Sequence, residues 1–87
     1  MQGTVEKDFE DVWQAAESVV NIMGRLTKEN TDSGRLDALI NNARVSVGVV
    51  QFTPKLVKVT VKARKSFFPD VSTAQEVYIK IVSYLGR

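Results

Sequence analysis

The stretch Val57-Lys58-Val59-Thr60-Val61-Lys62-Ala63-Arg64 alternates apolar and polar residues without a break. Successive side chains on a strand point to opposite faces, so this pattern predicts a half-buried strand with the valines and Ala63 inward. Working back from it, Pro54 fits the second position of a turn. Arg44 to Thr53 then predicts a long strand with Val45, Val47 and Val49 on one face. Asn41-Asn42 signals a tight hairpin, because Asn tolerates positive φ better than most residues. Leu36, Ala38 and Ile40 alternate with Asp37 and Leu39, which predicts another half-buried strand. Thr31-Asp32-Ser33-Gly34 predicts a turn and Arg25 to Glu29 a further strand.

The periodicity changes at both ends of this run. Phe9, Val12, Trp13, Ala16, Val19, Val20 and Met23 recur at helical spacing and predict a helix over residues 9–23 with Trp13 as a core anchor. Asp8 suits a side-chain N-cap and Gly24 a left-handed C′ residue. Thr4-Val5-Glu6 reads as a short first strand. Beyond the alternating strand, Phe67-Phe68-Pro69-Asp70 reads as a connector, with one phenylalanine closing the core and the other partly exposed. Thr73-Ala74-Gln75-Glu76 matches a capping box. Ala74, Val77, Tyr78, Ile81, Val82 and Leu85 then predict a second helix over residues 73–85, stopped by Gly86.

The order is β-α-β-β-β-β-α. Four successive strands with short turns make an antiparallel meander, and two helices with one apolar stripe each pack on one sheet face. The expected fold class is therefore α+β, a two-layer sandwich in which a curved antiparallel sheet carries both helices on one face. The first strand pairs at an edge, most simply beside the last strand. The whole chain of 87 residues reads as a single domain, residues 1–87, at a length that supports a core without staples.

Composition narrows the chemistry. The chain has no cysteine and no histidine, which removes disulfides, thiolate nucleophiles, the usual general base and the commonest metal ligand. Glu6, Glu10 and Asp11 lie close together, but acids gathered at a helix N-terminus are what the helix dipole favours. Lys65-Ser66 are strand neighbours and point apart. The glycines are scattered and form no phosphate loop. The chain is accordingly read as non-enzymatic, with no cofactor and no metal. No apolar run reaches the length of a membrane span and no signal peptide is apparent.

Charge is uneven along the sequence. Residues 1–40 hold eight acids (Glu6, Asp8, Glu10, Asp11, Glu17, Glu29, Asp32, Asp37) against Lys7, Arg25, Lys28 and Arg35. Residues 41–87 hold eight bases (Arg44, Lys55, Lys58, Lys62, Arg64, Lys65, Lys80, Arg87) against Asp70 and Glu76. On the open sheet face, Lys58, Lys62 and Arg64 point together with Thr60 between them. Such a stripe suits an anionic ligand, a lipid headgroup or nucleic acid; exposed strands also carry Lys to prevent aggregation. No aromatics interleave at stacking positions, which counts against nucleic acid. Val50 is out of phase with Val45, Val47 and Val49. Either a bulge at Val49-Val50 turns Phe52 inward, or Leu39, Val50 and Phe52 form an open-face patch for a protein partner or a second copy.

The run Glu6-Lys7-Asp8-Phe9-Glu10-Asp11-Val12-Trp13-Gln14-Ala15-Ala16, then Met23-Gly24, then Asp32-Ser33-Gly34-Arg35-Leu36-Asp37-Ala38, two Val-rich strands and a closing helix resembles a family of small bacterial predicted lipoproteins classed as a domain of unknown function. It is also similar in plan to the helix-grip-like domains of outer-membrane assembly lipoproteins. The resemblance covers nearly the whole chain. It implies the periplasmic side of the cell envelope, with a signal peptide and a lipid-modified Cys ahead of residue 1, so that a membrane is met only through a lipid anchor outside this chain; a natural start at Met1 implies the cytoplasm instead. It carries no activity.

Overall fold

The computed structural model describes residues 1–86; Arg87, counted among the bases above, lies outside them. The chain runs through β1 (Gln2–Val5), α1 (Phe9–Met23), β2 (Arg25–Asn30), β3 (Arg35–Ile40), β4 (Ala43–Thr53), β5 (Leu56–Lys65), β6 (Phe68–Pro69) and α2 (Val71–Leu85). The strands form one sheet in the order β1-β5-β4-β3-β2, every pair antiparallel, with β6 on the same side of β5 as β1. This is the α+β sandwich expected from the periodicities. The first strand does lie beside the last long one, pairing Gln2 with Thr60 and Val5 with Val57. The two-residue β6 is the one addition, formed within the predicted connector.

Turn chemistry sets the register. Asn41 and Asn42 both take positive φ, 54° and 64°, which is the two-residue turn whose twist matches a hairpin. It places Ile40 opposite Ala43 and, one step on, Leu39 opposite Arg44. Gly34, at φ 69°, sits under the Val49 carbonyl, where a Cβ has no room; the Val49 amide donates to the Gly34 carbonyl at 2.7 Å.

Both helices lie on one sheet face. Val12, Trp13, Ala16, Val19 and Val20 of α1, Ala74, Val77 and Ile81 of α2, and the inward residues of β3, β4 and β5 form one buried cluster. Trp13 is a core residue, its ring stacked on Phe9 with centroids 5.7 Å apart. Tyr78 of α2 reaches across to β1, where Gly3 leaves space for its hydroxyl that any Cβ would take.

Several local expectations are corrected. Asp8 has the extended backbone of an N-cap, but its carboxylate makes no cap hydrogen bond. Gly24 is not left-handed: its φ is −166°, and glycine is needed because a Cβ would strike the Leu39 carbonyl of the neighbouring strand. The second helix starts two residues early, at Val71. Its cap is Asp70, which accepts from the Thr73 amide at 3.1 Å and the Thr73 hydroxyl at 2.6 Å. These two bonds, side chain first, hold the Asp70 carboxyl below the usual carboxylate range, and the charge of Lys65 adds to them. Thr73 is thus the partner of the cap rather than the cap. Neither phenylalanine of the connector closes the core: Phe67 is 92% exposed and Phe68 73%.

Candidate functional site

The sheet face away from the helices is built by register. Residues directly opposite on antiparallel strands share a face, so each open-face residue names its neighbours. Arg64 of β5 lies opposite Arg44 of β4, Arg44 opposite Leu39 of β3, and Leu39 opposite Arg25 of β2. With strands about 4.8 Å apart, this row places three arginines within about 14 Å at one end of the sheet. The next row runs Lys62, Ser46, Asp37 and Lys28, and the next Thr60, Gly48, Arg35 and Asn30. Lys58 follows, opposite Val50.

The outcome is a face of one sign. Arg25, Lys28, Arg35, Arg44, Lys58, Lys62 and Arg64 share these rows with a single acid, Asp37. Asp37 is already engaged. It accepts from Arg35 Nε at 3.3 Å and from the Ser46 hydroxyl at 2.8 Å, and Arg35 also donates to that hydroxyl at 3.3 Å. Arg35–Asp37 is the only ion pair among the described residues. Six cations on the face therefore have no acidic partner among the described residues.

The acids gather on the other layer. Glu10 and Asp11 stand in the first turn of α1. Glu29, opposite buried Leu36, points to the helix side, where it meets Glu17. A hydrogen bond to Glu29 raises the Glu17 carboxyl above its ordinary range, with burial and repulsion from Glu29 and Glu10 acting in the same direction. The charge division that runs along the sequence becomes a division between faces, because Arg25, Lys28 and Arg35 leave the acidic half to join the basic surface. Among the described residues, no group of three or more carboxylates is placed to hold a metal ion.

The residues singled out from sequence all reach this face, but not as one site. Lys58 and Thr60 are half-buried there, and Lys62 and Arg64 exposed. Of the two alternatives, the bulge at Val49-Val50 does not form; the bulge falls at Phe52, where the pairing slips between Gln51 and Thr53. It leaves Val50 50% and Phe52 57% exposed rather than turning Phe52 inward, and the Lys58 ammonium sits 5.8 Å from the Phe52 ring centroid. Leu39 is also exposed, but it lies beside Arg44, six residues from Val50 along β4 and so about 20 Å away. The other alternative, a Leu39-Val50-Phe52 patch, is thus split between the two ends of the face. Arg25, Lys28, Arg35 and Arg44 were not among the sequence candidates, and they supply more than half of its cations.

No protein-family model matches the chain, and no curated protein matches it. No helix among the described residues is long and apolar enough to cross a membrane.

Proposed function

We propose that the domain is a non-catalytic binding module and that its open sheet face docks an acidic surface of a protein partner. One observation carries this reading: seven cations stand in adjacent rows with one acid, and that acid is neutralised internally by Arg35. Like charges directly opposite on a sheet are unfavourable, as at Arg44 and Arg64, and a partner of opposite charge relieves them. Val50 and Phe52 at one end of the face supply apolar contact. The absence of histidine and cysteine supports a binding rather than a catalytic role. The cell-envelope location implied by the family resemblance belongs to the same proposal; recovery of the native protein in the cytosolic fraction would refute that part.

Retention on immobilised polyglutamate tests the interface. The wild-type chain should be held at low ionic strength and released by salt. Lys62→Glu/Arg35→Glu should elute early while keeping the wild-type circular dichroism spectrum. Equal elution of wild type and variant refutes the interface. The same rows suit a phosphate backbone, and a second copy offers an acidic helical layer of its own. Stronger retention on DNA than on polyglutamate favours the first. For the second, light scattering should show a smaller species for Phe52→Lys than for wild type, and a monomeric wild type rejects it.

A further inference from the structure

At the end of the sheet that carries the arginine row, the chain makes a sharp turn between β5 and β6. Ser66 takes a left-handed φ of 57°, and Phe67 and Phe68 follow it. Phe67 is the most exposed large apolar residue described, at 92%, and Phe68 and Val71 beside it are 73% and 67% exposed. Two adjacent phenylalanines at a turn do nothing for the core, since neither packs into it. Nor does covering the sheet edge call for their rings, since β6 covers it through the strand pairing of Phe68 with Lys65 and Pro69 with Arg64.

The surroundings of the turn define a chemistry. Lys65 and Arg64 directly precede it, Arg44 lies opposite Arg64, and Arg25 completes the same row two strands further. The nearby acid, Asp70, is occupied by Thr73 as the cap of α2. An apolar tip with Lys65 beside it and the Arg64-Arg44-Arg25 row at the same end of the sheet matches a bilayer interface, where aromatic rings enter the headgroup region and basic residues meet anionic lipid. A polar partner surface or nucleic acid would meet the same cations but gives no reason for the bare rings.

We infer that the Phe67-Phe68 turn inserts into the interface of an anionic lipid bilayer, with Arg64, Lys65, Arg44 and Arg25 on the headgroups. This membrane contact draws on Arg25, Arg44 and Arg64 of the basic face, but it is carried by the Phe67-Phe68 turn, which the proposed protein contact does not use.

Phe67→Trp provides a reporter, read against the buried Trp13 of the parent chain. On phosphatidylcholine vesicles containing one-third phosphatidylserine, its emission should shift to the blue and be quenched by brominated lipid. Pure phosphatidylcholine should produce little of either. In vesicle co-sedimentation, Phe67→Ser/Phe68→Ser should weaken binding at least tenfold, as expected for removing two buried aromatic rings. Arg44→Gln should weaken it about fivefold, the effect of one basic residue near an anionic leaflet. Both variants have exposed targets and should melt no lower than the wild type. Binding that survives loss of both rings overturns insertion and leaves only electrostatic adsorption. Absence of a shift on the anionic vesicles, or an equal shift on neutral ones, overturns the proposal. So does a wild-type dimer that Phe67→Ser/Phe68→Ser dissociates, because the turn is then a protein contact. Loss of polyglutamate retention in Lys62→Glu/Arg35→Glu with the Phe67→Trp shift intact separates the two surfaces.

Discussion

Arg44→Glu should make the protein more stable and a poorer binder. Arg44 and Arg64 are directly opposite and both exposed, so the wild-type pair is repulsive. Reversing one charge removes that repulsion and creates an attractive cross-strand pair. Such pairs contribute roughly 0.2–1 kcal/mol relative to alanine, and like pairs cost a comparable amount, so the exchange should gain about 1 kcal/mol. In a domain of this size that is a rise of about 4–8 °C in melting temperature. Arg44→Gln controls for loss of the aliphatic stem and should recover part of the rise. Arg44→Glu/Arg64→Glu restores a like-charge pair and should fall back toward wild type. Thermal melts followed by circular dichroism, at low salt and at about 1 M salt, measure all four chains. The differences should shrink at high salt, where the Debye length falls to about 3 Å. Arg44→Glu melting at or below wild type at low salt would refute the reasoning, because it would mean that the arginine row costs nothing and needs no partner to explain it.

Gly24→Ala brings a Cβ against the Leu39 carbonyl and 2.8 Å from Ile40 Cγ1, and should cost about 1–3 kcal/mol, read as a lower urea midpoint. Gly24→Asn should do no better, whereas a left-handed helix cap would tolerate it; Gly48→Ala, with only the Thr60 carbonyl oxygen at 4.0 Å, should be neutral or mildly stabilising. Glu17→Gln tests the carboxyl pair. A raised carboxyl contributes stability while protonated, and loses it as pH rises through the folded-state value, so the wild type should weaken relative to Glu17→Gln as pH rises through and above the ordinary carboxylate range. A constant difference across that window would show that Glu17 and Glu29 do not interact.

Much of this architecture is legible because each strand declares its inward face. Val45, Val47 and Val49 on β4, and Val57, Val59 and Val61 on β5, leave little choice of layer. The same parity demands a bulge. A two-residue turn at Pro54-Lys55 sets odd-numbered residues of β4 opposite even-numbered ones of β5, yet the odd-numbered valines of both strands are buried. One extra residue has to lie between them. Its position is not encoded in the alternation, and the structure puts it at Phe52, beyond the last buried valine of β4. Arg44 was within reach of sequence reasoning, since the Asn41-Asn42 turn forces it opposite Leu39. That it also faces Arg64 depends on the bulge, so the arginine row stayed hidden. The tight seat of Gly24 depends on a neighbouring strand and has no local signal.

The common explanation for cations on a sheet is protection of free edges, and here their placement argues against it. The edge strand β1 carries none, and β2, which holds only Arg25 and Lys28 of the seven, already guards its edge with a bulge at Thr27. Arg35, Arg44, Lys62 and Arg64 stand on β3, β4 and β5, which have neighbours on both sides and no edge to defend. Their charge therefore acts across the face. From Arg64 to Lys58 is six residues, about 20 Å along β5, or more than two Debye lengths at physiological salt. The arginine row beside Phe67 and the Lys58-Phe52 end are thus screened from each other, with Lys62 and Arg35 in the rows between them. A bilayer held at one end leaves the Lys58-Phe52 end free for an acidic protein, so the two proposed contacts can be occupied together.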